Sequence, residues 1–372
     1  MSQRENVNPR REQNHRKNRR RYQKRAAARR RRNTIFIMEI VLLLILAVVL
    51  FFVSKLSKIE KTKLDMDKIE VNEDISQESQ KIMKGYQTIA MFGLDNRSNG
   101  NLSQGRSDVI MLANINNDTK EVKLVSVYRD TYLDTGDGIF QKCNAAYAKG
   151  GPEQAISMLN VNLDLNITDY VTVDFNSIIE CVDLLGGVDM EITDDEASLM
   201  TGYIRELNEL TGNKAENLTQ GGTYTLNGVQ ACAYARIRYG GGDDYRRTER
   251  QRTVLTAMVK KAQQSDLTTV NKLINEVCGD IQTSFSNAEL LALASQVFQY
   301  SIGDTTGFPF TKTTKVLSKK TGDVVIPCDL SDNVKELHIF LYEDSAYTAS
   351  DTVKQNSEKI VSDTGFKSGD GH

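Results

Sequence analysis

Nineteen residues from Ile35 to Val53 carry a single charge, Glu39. A helix of that length, at about 1.5 Å of rise per residue, nearly crosses a hydrocarbon core of about 30 Å. The apolar region of a cleaved signal peptide is shorter, and no Ala-x-Ala-like cleavage site follows Val53. A transmembrane helix is therefore predicted over residues 34–55. Its flank sets the orientation. Residues 1–33 hold 14 Lys/Arg against 2 Asp/Glu, whereas the rest of the chain holds 33 against 47. Basic flanks stay on the cytoplasmic side, which puts everything after about residue 54 outside the cell. The basic arm has one aromatic residue, Tyr22, and sits against the span, so anionic lipid explains it better than nucleic acid. The expected location is the cell membrane, single-pass, with membrane lipid as a partner and no nucleic acid.

Residues 56–85 are rich in Lys, Asp, Glu and Ser and read as an extracellular stalk, with a short strand near Ile69-Glu70-Val71. From Tyr86 the apolar pattern becomes dense and alternating. Strands are predicted at about 87–94, 108–115, 121–128, 170–175 and 188–192. Pro152 fits the first turn of a helix running to about 163, and Gly186-Gly187 fits the close of a helix over 178–185. Another helix lies within the polar stretch 193–222, and three more at roughly 227–236, 247–264 and 286–300. Strands alternating with helices indicate a layered α/β domain over 86–315. Residues 316–372 form a C-terminal extension, whose polar tail from about 353 is expected to be disordered.

Cysteine and histidine usage removes several chemistries. None of the five cysteines is spaced C-x-x-C, so no zinc site is signalled. Only three histidines exist, and His15 and His372 lie near the chain ends, which disfavours a His-based triad or a His metal site.

The charged residues cluster where strands begin and end. Asp95 follows the first strand and Asp108 opens the second, thirteen residues apart across a Gly/Asn/Ser-rich loop. Paired strands would bring both carboxylates to one rim, a set that with phosphate oxygens and water suits Mg2+. The alternative is local: Asp95 caps a turn and Asp108 pairs with Arg106. Arg236 and Arg238 precede Gly240-Gly241-Gly242, and Arg247 and Arg250 follow on one helical face. Arginine's planar fork grips phosphate oxygens at two points, so this grouping reads as an anion site. Arg246 and Arg252 fall off that face and are expected to be solvated.

Eight ordered motifs carry a family likeness. They are Gly93-Leu94-Asp95-Asn96-Arg97, Gly105-Arg106-Ser107-Asp108, Ser126-Val127-Tyr128-Arg129-Asp130, Asn144-Ala145-Ala146-Tyr147, Gly150-Gly151-Pro152, Val182-Asp183-Leu184-Leu185-Gly186-Gly187-Val188-Asp189, Tyr234-Ala235-Arg236-Ile237-Arg238 and Asp244-Tyr245-Arg246-Arg247-Thr248-Glu249-Arg250-Gln251. In that order, over roughly residues 86–265, the chain resembles the LytR-CpsA-Psr family. The resemblance implies a mixed central sheet flanked by helices, with a deep apolar pocket. It implies an Mg2+-dependent phosphotransferase, with Mn2+ as an alternative ion. Such an enzyme moves a glycopolymer of the teichoic-acid or capsule kind from an undecaprenyl-pyrophosphate carrier to peptidoglycan. Carried over by motif, Asp95 and Asp108 are the metal carboxylates. Arg106, Arg129, Arg236, Arg238, Arg247 and Gln251 are the pyrophosphate ligands. Tyr128 departs from the family pattern, which has Pro before Arg-Asp.

The implied chemistry is electrostatic, since phosphoryl transfer needs positioning and charge neutralisation more than a protein nucleophile. Arg129, Arg236 and Arg238 would stabilise the transferring group. Asp130 is the candidate to take the hydroxyl proton; its alternative role is a salt bridge orienting Arg129. The lipid requires a long apolar pocket beside Arg129 and Arg236, lined by the sheet and the 152–163 and 176–185 helices. Two other functions use the same residues: a lipid-pyrophosphate hydrolase, with water as acceptor, and a non-enzymatic membrane-bound transcriptional attenuator or sensor.

Overall fold

The computed structural model describes residues 60–61, 64–94, 102, 105–238, 243–266, 269, 272–273, 281–319 and 321–371. The basic arm and the membrane span predicted over 1–55 lie outside these residues. Among the described residues no helix is long and apolar enough to cross a membrane.

A seven-stranded sheet is the centre of the fold. Its strands in chain order are β1 (Glu60–Lys61), β2 (Tyr86–Leu94), β3 (Ser107–Asn116), β4 (Glu121–Val127), β7 (Asp169–Asp174), β10 (Ile281–Thr283) and β11 (Ser301–Phe308). Their spatial order is β1-β10-β7-β2-β3-β4-β11. The sheet is mixed: β2 pairs antiparallel with β3 and parallel with β7, and β11 joins β4 in parallel. The predicted strands therefore stand, and with them the expected mixed α/β class.

Period-two alternation gives the sheet two apolar faces. Ala90, Phe92, Leu94, Ile110, Leu112, Val125 and Val127 point to one core. Ile89, Met111, Ala113, Val122 and Leu124 point to another. The first face is covered by α2 (Ala145–Leu163), which kinks at Gly150–Gly151 so that Pro152 opens its long second segment. Helices α8 (Leu330–Tyr342) and α9 (Asp351–Thr364) complete that layer. The opposite face carries α6 (Asp243–Gln264) and α7 (Asn287–Ser295).

A second lobe of core grows from the end of β7. There Asp174 caps α3 (Phe175–Leu184), accepting from the Ser177 N–H at 2.9 Å. Gly186 and Gly187 close that helix with positive φ, as their position after it predicts. The hairpin β8 (Val188–Ile192) and β9 (Gly222–Leu226) brackets α4 (Asp194–Thr211), and α5 (Gly228–Arg236) leads back to α6. Two further hairpins, β5 (Tyr132–Asp134) with β6 (Phe140–Lys142) and β12 (Lys312–Ser318) with β13 (Gly322–Pro327), follow β4 and β11 respectively.

Two expectations need correction. No strand forms at Ile69-Glu70-Val71: a 3-10 turn at Met66–Lys68 and α1 (Gln77–Met83) occupy the stretch. Ile69, Ile75 and Met83 are buried in the same core as β2 and β3, so residues from 64 on belong to the folded body, not to a stalk. Nor is the tail from 353 disordered. Val353 and Ile360 are fully buried in the main core, and Ser350 caps α9. Polar composition hid α9 because only one narrow stripe of it is apolar.

Candidate active site

At the rim where β2, β3 and β7 end, Leu94 pairs with Ser107 and with Asp174. The rim separates two cavities of opposite character. Neighbouring residues on β3 serve different ones: Val109 lines an apolar pocket, Asp108 a polar cleft.

The apolar pocket lies between the sheet face bearing Met91 and Met111 and the helices α3, α5 and α6. Its volume is about 140 Å3, and Arg236 and Gln251 are its polar lining from α5 and α6. The expected walls are thus half right. The sheet and the start of α3 line it, but the 152–163 helix packs on the other face of the sheet and contributes nothing. The pocket meets Arg236, not Arg129.

The polar cleft has a volume of about 770 Å3. Arg106, Asp108, Arg129 and Asp130 line it, together with Gln141, Lys142 and Asn144. Lys142 was not singled out by sequence, since a lone lysine on a short hairpin carries no pattern. Its ammonium pairs with Asp130 Oδ1 at 2.8 Å.

Between the cavities runs a chain of alternating charges. Arg129 Nη1 donates to Asp108 Oδ1 at 2.8 Å, and its Nε lies 3.5 Å from Asp130 and 3.8 Å from Asp244. Arg247 Nη2 forms an ion pair with the same Asp244 Oδ1 at 2.8 Å and donates to the Asp108 carbonyl at 3.5 Å. Arg238 approaches Asp108 Oδ2 at 4.0 Å. Burial would lower the Arg129 guanidinium, but Asp108, Asp244 and Asp130 together outweigh it and raise it above its ordinary value. Arg247 is 2% exposed. Burial first, and then the positive neighbours Arg129 and Arg238, push it down to about 10 in spite of Asp244.

Several buried donors here make no hydrogen bond: Arg129 Nε, which has only the longer approaches to Asp130 and Asp244, Arg236 Nη1, and both Nε and Nη1 of Arg247. Buried N–H groups are almost always satisfied, and a cationic one left bare costs more than a neutral one. Three arginines with bare donors at one rim are what a polyanion site looks like before the anion arrives. Arg236 is braced separately, by Glu206 at 3.2 Å and by the faces of Phe175 and Tyr203 at 5.0 and 5.7 Å.

Not every expected residue joins. Arg250 turns away and donates to Glu196 at 3.1 Å, although it sits three residues from Arg247. Arg252, expected in solvent, is 8% exposed. Helical periodicity fixes which residues share a face but not what that face meets. Arg106 is exposed at the cleft. Asp95 lies outside the described residues.

Comparison with known proteins gives the family and the fold. A polyisoprenyl-teichoic acid–peptidoglycan teichoic acid transferase TagU from Enterococcus faecalis is 30% identical over 210 residues, covering 56% of this chain and 64% of that protein's length. The structure of TagT bound to LI-WTA superposes with a TM-score of 0.57 at 22% identity, covering 75% of this chain and 99% of that one. A LytR-CPS2A-psr family protein YwtF (TagT) with bound octaprenyl pyrophosphate lipid superposes with a TM-score of 0.51 at 22% identity, covering 70% and 92%. At that identity the structural likeness establishes the fold alone. The LytR_cpsA_psr family model matches residues 46–315, nearly three quarters of the sequence and the whole of the rim that carries the arginines, and the chain belongs to that family.

Proposed function

We propose that this chain is a membrane-anchored phosphotransferase that moves a glycopolymer from a polyprenyl-pyrophosphate carrier to peptidoglycan. One observation carries the reading: an apolar pocket and a polar cleft meet at a rim of buried arginines with unpartnered donors. A hydrocarbon tail, a pyrophosphate head and sugar rings need those three environments in that order. The teichoic acid and peptidoglycan in the name of the TagU relative support this reading.

In this reading Arg236 and Gln251 stand where the lipid meets its head group, and Arg129, Arg238 and Arg247 receive the pyrophosphate oxygens. A sugar hydroxyl of peptidoglycan enters by the polar cleft, past Arg106, and attacks the phosphorus that bears the glycopolymer. The bond from that phosphorus to the bridging oxygen breaks, and polyprenyl phosphate leaves. The arginine rim stabilises the charge that develops on the leaving phosphate. Asp130 lines the cleft and is the candidate to receive the hydroxyl proton. Its contacts with Arg129 and Lys142 also give it an orienting role.

Mg2+, or Mn2+ in its place, fits through Asp108. Oδ1 of that carboxylate holds Arg129, whereas Oδ2 has Arg238 beyond hydrogen-bonding range at 4.0 Å and is available. Among the described residues no group of three or more His, Cys, Asp or Glu could hold a metal. Asp108, with Asp95, would then share the ion with phosphate oxygens and water, the usual arrangement for Mg2+. The ion would add positive charge at the pyrophosphate.

The pocket as it stands has room for a benzene-sized group. Met91, Met111 and Met258 line it, and unbranched thioether side chains repack readily. A polyprenyl chain would therefore enter by parting α5 and α6 from the sheet.

The test uses the full chain in detergent, a labelled lipid-linked glycopolymer and peptidoglycan fragments, with transfer and release of polyprenyl phosphate measured together. Transfer supports the proposal. Release without transfer would assign a hydrolase, and neither activity, together with altered transcription on deleting residues 1–33, would assign a sensor.

A further inference from the structure

We propose that Tyr128, Tyr245 and Lys312 form a clamp that sets the spacing between Arg129 and Asp244, and through Asp244 the position of Arg247. The inference concerns the site proposed above, but the geometry that carries it is independent of the reaction. Tyr128 immediately precedes Arg129, and Tyr245 immediately follows Asp244. Their rings meet edge to face, with centroids 4.6 Å apart and planes at 62°. Lys312, the first residue of β12, places its ammonium 5.4 Å from the Tyr128 ring and 4.8 Å from the Tyr245 ring. Its Nζ also donates to the Phe310 carbonyl at 3.2 Å, which fixes the head group in place.

The frame around Tyr128 is equally tight. Its N–H donates to the Phe308 carbonyl at 3.0 Å, continuing the β4–β11 pairing by one residue. A Cβ on Gly307 would fall 2.1 Å from the Tyr128 hydroxyl, so that glycine is what lets the ring lie down. Beyond the tyrosine, the Asp130 carbonyl accepts from the Val325 N–H of β13 at 2.9 Å. The Arg129 backbone is thus held from both sides by the C-terminal half of the chain. Arg129 and Asp244 come from elements far apart in sequence and approach only to 3.8 Å. Two aromatic rings locked one residue away from each are in position to maintain that gap. Lys312 is a positioning residue in this scheme, since it touches the arginines only through the tyrosines.

The experiment compares Lys312→Met, Lys312→Arg, Tyr245→Leu and Tyr245→Phe in the full chain. Arginine side-chain Nε–H resonances are recorded after 15N-arginine labelling, and the Arg129 and Arg247 signals are assigned by their loss in Arg129→Lys and Arg247→Lys. Lys312→Met and Tyr245→Leu should shift both resonances, and Lys312→Arg and Tyr245→Phe should restore them. Unmoved resonances in both disruptive variants would overturn the clamp, whatever happens to activity. In the transfer assay the disruptive variants should lose about fivefold to tenfold in kcat with little change in KM for the lipid donor. Combining Lys312→Met with Arg129→Lys should cost no more than Arg129→Lys alone; full additivity would overturn the clamp. Shifted resonances in a protein that transfers nothing would uphold the clamp and remove the phosphotransferase.

Discussion

Arg129 Nη1 donates to Asp108 Oδ1 at 2.8 Å, and the sheet register explains why these two meet. Met111 faces Ser126 across the antiparallel β3–β4 pair. Carried past the last paired residues, that register runs toward Asp108 near the start of β3 and Arg129 just beyond the end of β4. The carboxylate proposed for the metal and the arginine proposed for the phosphate therefore occupy one another. Both are about one fifth exposed, so the cost of desolvating them offsets much of their mutual attraction. Its value is that either member can exchange its partner for a ligand at small cost.

Asp108→Asn is thus expected to abolish transfer, by at least about a hundredfold, while moving the thermal midpoint by only a few degrees. A chelator should reproduce the loss in the wild type, and added Mg2+ or Mn2+ should reverse it. Transfer that continues at the wild-type rate in chelator removes Asp108 and Asp95 from the metal role.

Arg247 offers a sharper test of the anion site. It is fully packed, bound to Asp244, and holds two unpartnered donors. Lysine keeps the charge but loses the fork. Arg247→Lys should lower kcat by about a hundredfold to a thousandfold, the cost of losing one donor aimed at transition-state charge. Inorganic pyrophosphate should raise the melting temperature of the wild type and raise that of Arg247→Lys much less. Equal stabilisation of both proteins would place the anion elsewhere.

Much of this rim was legible before the fold was known, for a physical reason. Strand runs such as Ile110–Ile115 are buried on both faces, so charges at their ends must gather at the rim. That logic picked out Asp108 and Arg129, whereas Arg236 and Arg247 stood out by their spacing on either side of Gly240-Gly242. It failed where a residue's environment comes from a distant element. Arg250 was grouped with Arg247 because they share a helical face, but Glu196 of α4 claims it. Asp244 bridges Arg129 and Arg247, a role that no spacing in the sequence marks. The side of the sheet that α2 covers is a property of chain crossover and leaves no trace in its periodicity, so the pocket was given a wrong wall.

Filling the apolar pocket should separate lipid binding from phosphate chemistry. Ala235 lines it beside Arg236. Ala235→Leu adds three carbons to a site that already has room, so stability should hold or rise slightly. KM for the polyprenyl donor should rise about tenfold or more, while the response to inorganic pyrophosphate stays intact. Unchanged KM would mean that the lipid lies on the surface.

Orientation in the membrane is tested on intact cells. The basic flank predicts that external protease removes epitopes beyond residue 64 and spares a tag ahead of residue 34. Loss of the N-terminal tag would reverse the topology and place the arginine rim on the wrong side for peptidoglycan.

His338 gives the fold a pH dependence with a definite sign. It is the one histidine among the described residues, fully buried in α8 and stacked on Tyr347 at 3.8 Å. Nε2 lies 3.0 Å from the Leu163 carbonyl, an acceptor, so Nε2 carries the proton and Nδ1 is bare. Burial lowers its pKa below the ordinary value, outweighing that hydrogen bond and Asp164. The folded state therefore excludes the imidazolium that the unfolded chain accepts. Above about pH 6.5 both states are neutral and the contribution is fully present. As pH falls below that value the unfolded state takes the proton first, and stability declines by up to about 1.4 kcal/mol per pH unit. His338→Gln keeps an N–H for Leu163 and cannot titrate. The variant should be less stable at pH 7.5, having lost the ring stack, yet its denaturant midpoint should stay level from pH 7.5 to 5.5 while the wild type falls. Parallel profiles for the two proteins would show that His338 takes up its proton equally readily in the folded and unfolded chain, and that α8 is not closed over it.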